Sequence, residues 1–229
     1  MTKGKFIVLE GIDGSGKSIQ FKKLLEYLGS KNQSFVPFDF PQYEKPSSYF
    51  AKEYLAGHYG SAESVGPKRA SLFYALDRFD ASIEIQKALD LGSIVLSNRY
   101  VASNMGHQGS SFKNKDERLE FFKWISNLEF EVLKIAKPDL NIFLHVPAEI
   151  SFNLIQERER KGERGSAKRD ILELSLDHLK NAEESYLNLV EVFKDEFCMI
   201  ECAENGQIMT IDQIHAKIVD KVSTFLGIA

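Results

Sequence analysis

One stretch, Gly11-Ile12-Asp13-Gly14-Ser15-Gly16-Lys17-Ser18, restricts the fold of this chain more than any other. It spells the pattern GxxxxGK[ST]. The apolar run Phe6–Leu9 precedes it, and the helical period Phe21, Leu24, Leu25, Leu28 follows, with Gly29 as a stop. A glycine loop between a strand and a helix turns backbone N–H groups inward around phosphate oxygens. The helix N-terminus adds partial positive charge. Lys17 can then reach the β- and γ-phosphates of a nucleotide, and the Ser18 hydroxyl can ligate Mg2+. The expected phosphate contacts are Gly11, Asp13, Gly14, Ser15, Gly16, Lys17 and Ser18. The pattern alone does not separate kinases from GTPases or motor ATPases.

Further short apolar runs alternate with helical periods. Phe35–Phe38, Ile94–Leu96, Ile142–Val146 and Phe197–Ile200 read as buried strands. Leu72, Leu76, Phe79 and Ile83 read as the core face of a helix between Pro67 and Gly92. Phe121, Ile125, Leu128, Val132 and Ile135 mark another helix, ending before Pro138. Two more carry Leu172, Leu176, Leu179, Tyr186, Val190, Phe193 and Ile211, Ile214, Ile218, Val222, Phe225. Strands alternating with helices predict an α/β fold with a parallel sheet covered on both faces. Ligands then bind at the carboxyl ends of the strands.

The composition narrows the partners. With 229 residues, 43% of them apolar, the chain reads as one domain over 1–229 with a sizeable core. A net charge of -4 argues against binding a nucleic-acid polymer through bulk charge. Cys198 and Cys202 are too few for a disulfide framework or a four-cysteine zinc site. No apolar run approaches the ~20 residues of a membrane span. The first residues lack the apolar core of a signal peptide. A cytoplasmic, reducing setting is the default expectation.

Several residues after the strands suit an acceptor. Asp13, an acid facing an anion site, fits a sugar hydroxyl, or else an Asx-type turn bond. Phe40-Pro41-Gln42-Tyr43 brings an aromatic ring and a phenol to the ligand side, or makes an ordinary packed turn. Tyr74 and Arg78 share a helix face roughly opposite the Leu72–Ile83 stripe. Such a pair can stack a base and bond its edge, or be a solvated surface pair. Arg99 is placed to hold a phosphate bidentately. Asn98 sits where an acid often assists Mg2+. Asn104 and Gln108 carry amides suited to a base edge.

Between 158 and 169, the cations Arg158, Arg160, Lys161, Arg164, Lys168 and Arg169 face two anions, Glu159 and Glu163. This local excess of positive charge in an acidic chain suits a flap over transferring phosphates, at about 158–170, or a solvated turn.

Taken in order, these pieces resemble the thymidylate kinases of the P-loop nucleoside monophosphate kinase group, over nearly the whole chain. The resemblance rests on Leu9–Ser18, Phe40–Tyr43, Tyr74–Arg78, Asn98–Asn104 and Lys137–Leu140. It implies a three-layer fold with a five-stranded parallel sheet, order 2-3-1-4-5, and a short lid. It implies the reaction of ATP with dTMP to give ADP and dTDP, with Mg2+ as cofactor, and a homodimer. By the same resemblance, Asp13 meets the deoxyribose 3′-hydroxyl and Phe40 lines the nucleoside site. Tyr43 and Arg99 meet the acceptor phosphate, and Tyr74 stacks on thymine. Arg78 bonds the thymine edge, and Ser103, Asn104 and Gln108 address base or sugar. Lys17, Arg99 and the lid arginines Arg158, Arg160 and Arg164 are the expected catalytic cations.

The sequence departs from the family at three places. Asn98 stands where the family usually has Asp, His107 where it commonly has Tyr or Phe, and Gly14 where some members have Arg. A kinase for another nucleotide or nucleoside, and a nucleotide-binding paralogue with little turnover, are the competing readings.

Overall fold

A computed structural model of the chain describes residues 3–162 and 175–228. Its centre is a parallel sheet of five strands: β1 (Phe6–Glu10), β2 (Phe35–Asp39), β3 (Ile94–Asn98), β4 (Leu140–His145) and β5 (Phe197–Glu201). Their order is β2-β3-β1-β4-β5, as the resemblance implies. Every residue of β1 and β3 is buried, as expected of strands covered on both faces. Because side chains alternate across a strand, Phe6 and Val8 enter one core layer while Ile7 and Leu9 enter the other.

On one face lie α1 (Lys17–Ser30) and α9 (Ile211–Leu226), whose Leu24, Leu28, Ile214, Ile218 and Val222 close the layer around Ile7 and Leu9. On the other lie α4 (Pro67–Asp90), α5 (Val101–Gly109), α6 (Lys115–Ser126) and α8 (Leu176–Val192). The helix α7 (Ala148–Arg160) follows β4. Gly106 of α5 lets Tyr186 of α8 come close: a Cβ there would lie 2.2 Å from the Tyr186 ring.

The structure reverses the predicted orientation of α4. Leu72, Leu76, Phe79 and Ile83 point outward, Ile83 with 79% of its surface exposed. The buried face is Ala70, Ala75, Ala81, Ile85, Ala88 and Leu89 together with Asp77 and Arg78. Small alanines let the helix sit close to the sheet, and the polar pair is paid for by partners described below.

Other boundaries shift. The period expected to run as one helix from Phe121 to Ile135 breaks at Ser126. There α6 passes into a π-helical turn, Asn127–Val132, which leaves Val132 exposed. α1 continues through Gly29 to Ser30. Between 41 and 66, where no element is expected, lie a 3-10 turn (Pro46–Ser48), α2 (Tyr49–Leu55) and α3 (Ala62–Val65). A small antiparallel hairpin, β6 (Ala203–Glu204) and β7 (Gln207–Ile208), turns through Asn205-Gly206, both at positive φ. Leu172, Arg164, Lys168 and Arg169 lie outside the described residues. Among the described residues, no helix is long and apolar enough to cross a membrane.

Candidate active site

The loop between β1 and α1 turns through two glycines in the left-handed region. Gly14 and Gly16 take φ of 81° and 83°, a region open to glycine and strained for other residues. A Cβ at Gly14 would meet the Ser151 carbonyl oxygen at 2.8 Å, so the arginine that some family members carry here has no room in this loop conformation. Lys17 opens α1 and folds back to donate to the Ile12 carbonyl at 2.7 Å. Burial and the neighbouring Arg99 guanidinium pull its ammonium down to about 7.

Arg99 follows β3 at a positive φ of 66°, a conformation costing on the order of 1–3 kcal/mol for a non-glycine residue. It is held on every side. Its N–H donates to the Leu9 carbonyl at 2.9 Å, and NH2 donates to Asp13 Oδ1. NH1 donates to the Gly11 carbonyl at 3.3 Å and to His107 Nε2 at 2.9 Å. His107 is therefore an acceptor at Nε2. Burial keeps its ring neutral, with a pKa of about 3. Burial works to raise the Asp13 pKa, but the Arg99 charge outweighs it and holds the carboxyl well below the usual carboxylate range.

Beneath this pair lies Glu10, the last residue of β1, fully buried. It accepts from the Tyr100 N–H at 2.8 Å, the Ser103 hydroxyl at 2.8 Å and the Tyr186 hydroxyl at 3.0 Å. Burial raises its pKa, while these bonds and Arg99 oppose the shift. Sequence reasoning assigned Glu10 no role. The available signal was an acid ending an apolar strand directly before the loop.

A cavity of about 350 Å³ opens beside the loop. Its wall contains every residue expected to meet the acceptor: Asp13, Phe40, Tyr43, Tyr74, Arg78, Arg99, Ser103, Asn104 and Gln108. Asp77 pins the Phe40–Tyr43 turn against α4 by accepting from the Gln42 N–H at 2.8 Å and the Ser47 hydroxyl at 2.6 Å. The structure adds Asp39 and His107 to that wall, neither among the expected contacts.

A smaller cavity, about 120 Å³, is lined by Gly14, Gly16, Lys17, Ser18 and Arg158. Arg158 reaches it from the last turn of α7. Arg160, on the same turn, is exposed and does not line it. Gly11 and Ser15 support the loop without lining either cavity. The two cavities share Asp13, Ser18, Asn98 and Arg99. The oxygen donors at this junction are the Ser18 hydroxyl, the Asp13 carboxylate, which is engaged by Arg99, and Asn98 Oδ1, which is buried without a partner among the described residues; Asp39, on the wall of the larger cavity only, adds a second carboxylate. Such a set suits Mg2+ carried in on phosphates better than a closed protein cage. No group of three His, Cys, Asp or Glu among the described residues could hold a metal alone.

The two cavities, of about 350 and 120 Å³, meet at the Arg99 guanidinium, and comparison with known proteins says which family carries such a pair. The sequence profile of the thymidylate kinase family matches residues 9–217. The chain belongs to the thymidylate kinase family. Among its relatives in that family, a thymidylate kinase of Mycobacterium tuberculosis is 33% identical over 165 residues, 72% of each chain. A probable thymidylate kinase of Thermococcus kodakarensis is 29% identical, covering 97% of this chain and 98% of its own. The solved structure of a thymidylate kinase from Candida albicans shares the fold, with a TM-score of 0.70 at 21% identity. That match covers 97% of this chain and 92% of that one. Membership makes the chain a phosphotransferase with a phosphate group as acceptor, taking dTMP to dTDP.

Proposed function

We propose that the larger cavity takes dTMP, that the loop and smaller cavity take the phosphates of ATP with Mg2+, and that the γ-phosphoryl group crosses between them. The observation that carries this reading is the shared wall. Asp13, Ser18, Asn98 and Arg99 line both cavities, so donor and acceptor phosphates would meet there.

No general base is needed, because an acceptor phosphate is anionic at neutral pH and attacks the γ-phosphorus directly. Catalysis is positioning and charge neutralisation. Arg99 holds the attacking phosphate. An incoming phosphate competes with Asp13 for that guanidinium, and the sugar hydroxyl then offers Asp13 a donor. Lys17 leaves the Ile12 carbonyl for the donor phosphates. Arg158 approaches them from the last turn of α7, and in sequence Arg160 and Arg164 belong to the same basic stretch. Ser18, Asp39 and Asn98 would hold Mg2+, which when bound would supply neutralisation of the phosphates' negative charge. Tyr74 and Phe40 supply ring faces for the base, with Arg78, Asn104 and Gln108 at its edge and Ser103 toward the sugar.

The outer face of α4 supports a homodimer. A two-fold interface needs one self-complementary patch, and Leu72, Leu76, Phe79 and Ile83 form an exposed apolar stripe on a single helix. A reducing cytoplasm suits the two free cysteines.

The deciding assay is initial rates with ATP and Mg2+ across dTMP, dUMP, UMP, dCMP and thymidine. The expected result is the highest kcat/KM for dTMP and none for thymidine. Binding of dTMP without turnover refutes the proposal in favour of a non-catalytic paralogue.

A further inference from the structure

Arg78 does not stand free in the cavity wall. It is 2% exposed, and Glu129, with no exposed surface at all, grips it from the side. Arg78 Nε donates to Glu129 Oε2 at 2.5 Å and NH2 donates to Oε1 at 2.6 Å, while NH1 reaches the Tyr100 carbonyl at 3.3 Å. A guanidinium has five N–H hydrogens, so one remains on each terminal nitrogen. Glu129 also accepts from Asn104 Nδ2 at 3.1 Å, and the Ser71 carbonyl accepts from the same nitrogen at 3.0 Å. Both partners are pure acceptors, so the amide cannot flip, and its Nδ2 hydrogens are both engaged. Only Oδ1 of Asn104 can then serve a ligand. Glu129 reaches this position from the π-helical turn Asn127–Val132, a kind of local distortion frequent at functional sites.

We infer that Glu129 is a positioning residue that sets base selectivity. By clamping Arg78 and Asn104 together, it makes the cavity present a guanidinium that can only donate beside an amide oxygen that can only accept. A pyrimidine edge with a carbonyl next to a ring N–H, as in thymine and uracil, matches both. Cytosine, with an amino group next to a bare ring nitrogen, mismatches both, and a mismatched buried polar group is costly. Burial alone would lower the Arg78 pKa, but the Glu129 charge outweighs it, so the donor stays protonated. This inference rests on reading the cavity as the acceptor nucleotide's site.

The test compares dTMP and dCMP kinetics for Glu129→Gln, Glu129→Asp and Arg78→Ala. A neutral amide at 129 turns a donor toward Arg78 or Asn104 and breaks the clamp. In folded Glu129→Gln, the dTMP KM should rise about tenfold or more with kcat little changed and the ATP KM unmoved. The ratio of kcat/KM for dTMP over dCMP should fall by about tenfold or more. Glu129→Asp keeps the carboxylate and should recover part of that ratio. If Glu129→Gln does not fold, Glu129→Asp carries the test, with a smaller fall in the same ratio. An unchanged ratio in a folded variant overturns the inference, as does an equal loss of kcat for both pyrimidines at constant KM. If Arg78→Ala lowers the ratio and Glu129→Gln does not, the positioning role alone fails. If Arg78→Ala also leaves it unchanged, the base-site reading fails with it.

Discussion

Asn98 donates through Nδ2 to Asp39 Oδ1 at 2.8 Å, joining the carboxyl ends of β3 and β2. Family members usually place an acid at the first of these positions; here the acid is on the neighbouring strand and the amide is its partner. Burial raises the Asp39 pKa, while the bond from Asn98 and the charges of Arg99 and Lys17 oppose the rise. Asp39 and Ser18 line the same cavity, so an acidic side chain remains in that wall despite Asn98.

If that carboxylate steadies Mg2+, Asp39→Asn should weaken Mn2+ binding in the presence of ATP by roughly tenfold, the usual scale for outer-shell partners. Electron paramagnetic resonance titration of Mn2+ reads this without turnover. The double variant Asp39→Asn/Asn98→Asp returns an acid to β3 and should recover most of the affinity. Equal Mn2+ affinity in wild type and Asp39→Asn would remove Asp39 from the metal site.

Arg99 carries the second prediction. It pairs with Asp13, lines both cavities and tolerates a left-handed backbone. Arg99→Ala should lower kcat/KM for dTMP by about 10²–10³, equivalent to about 2.7–4 kcal/mol of lost transition-state stabilisation. The loss should fall on kcat as well as on dTMP KM. A variant within a few-fold of wild type would assign the acceptor phosphate to another cation.

Lys17 makes ATP affinity depend on pH. Its ammonium, at about 7 in the free protein, should rise toward its ordinary range once a polyanion sits beside it. The bound pKa then exceeds the free one. Binding takes up a proton between them, is strongest below about pH 7 and weakens as pH rises above it. Calorimetry at pH 8 in buffers of different ionisation enthalpy should detect that uptake for wild type. No buffer dependence would mean that Lys17 is already fully charged before ATP arrives.

The strands and the loop were legible because each is a local pattern: a short apolar run, a turn, then a helical period. Strand order came from the resemblance, since periodicity carries no information about neighbours in a sheet. The facing of α4 was misread for a physical reason. A stripe of Leu72, Leu76, Phe79 and Ile83 satisfies the rule that apolar faces turn inward, yet this helix turns small alanines and a paired arginine toward the sheet. The partner that makes this possible, Glu129, is 51 residues away on a π-helical turn, and no local pattern announces either. Asp39 and Glu10 were missed likewise. A single acid at a strand end becomes meaningful only when the sheet brings its partners, Asn98 for one and Ser103 and Tyr186 for the other.

The misread stripe leads to the last prediction. Four apolar side chains on one helix, all outward, expose a contiguous surface that water covers at a cost of roughly 25 cal/mol per Å². Pairing with a second copy across a two-fold axis removes that surface on both chains at once. Ile83 is the most exposed of the four, so Ile83→Asp changes the face without touching the core. In a dimer it would set two carboxylates against apolar surface, and truncations or charges at buried interface centres cost about 2 kcal/mol or more. Sedimentation velocity of the wild type should give a dimer, and Ile83→Asp should move the boundary to the monomer with the melting temperature of the isolated fold retained. A wild-type monomer at all accessible concentrations would leave the stripe as bare surface. A dimer unaffected by Ile83→Asp would move the interface to another face.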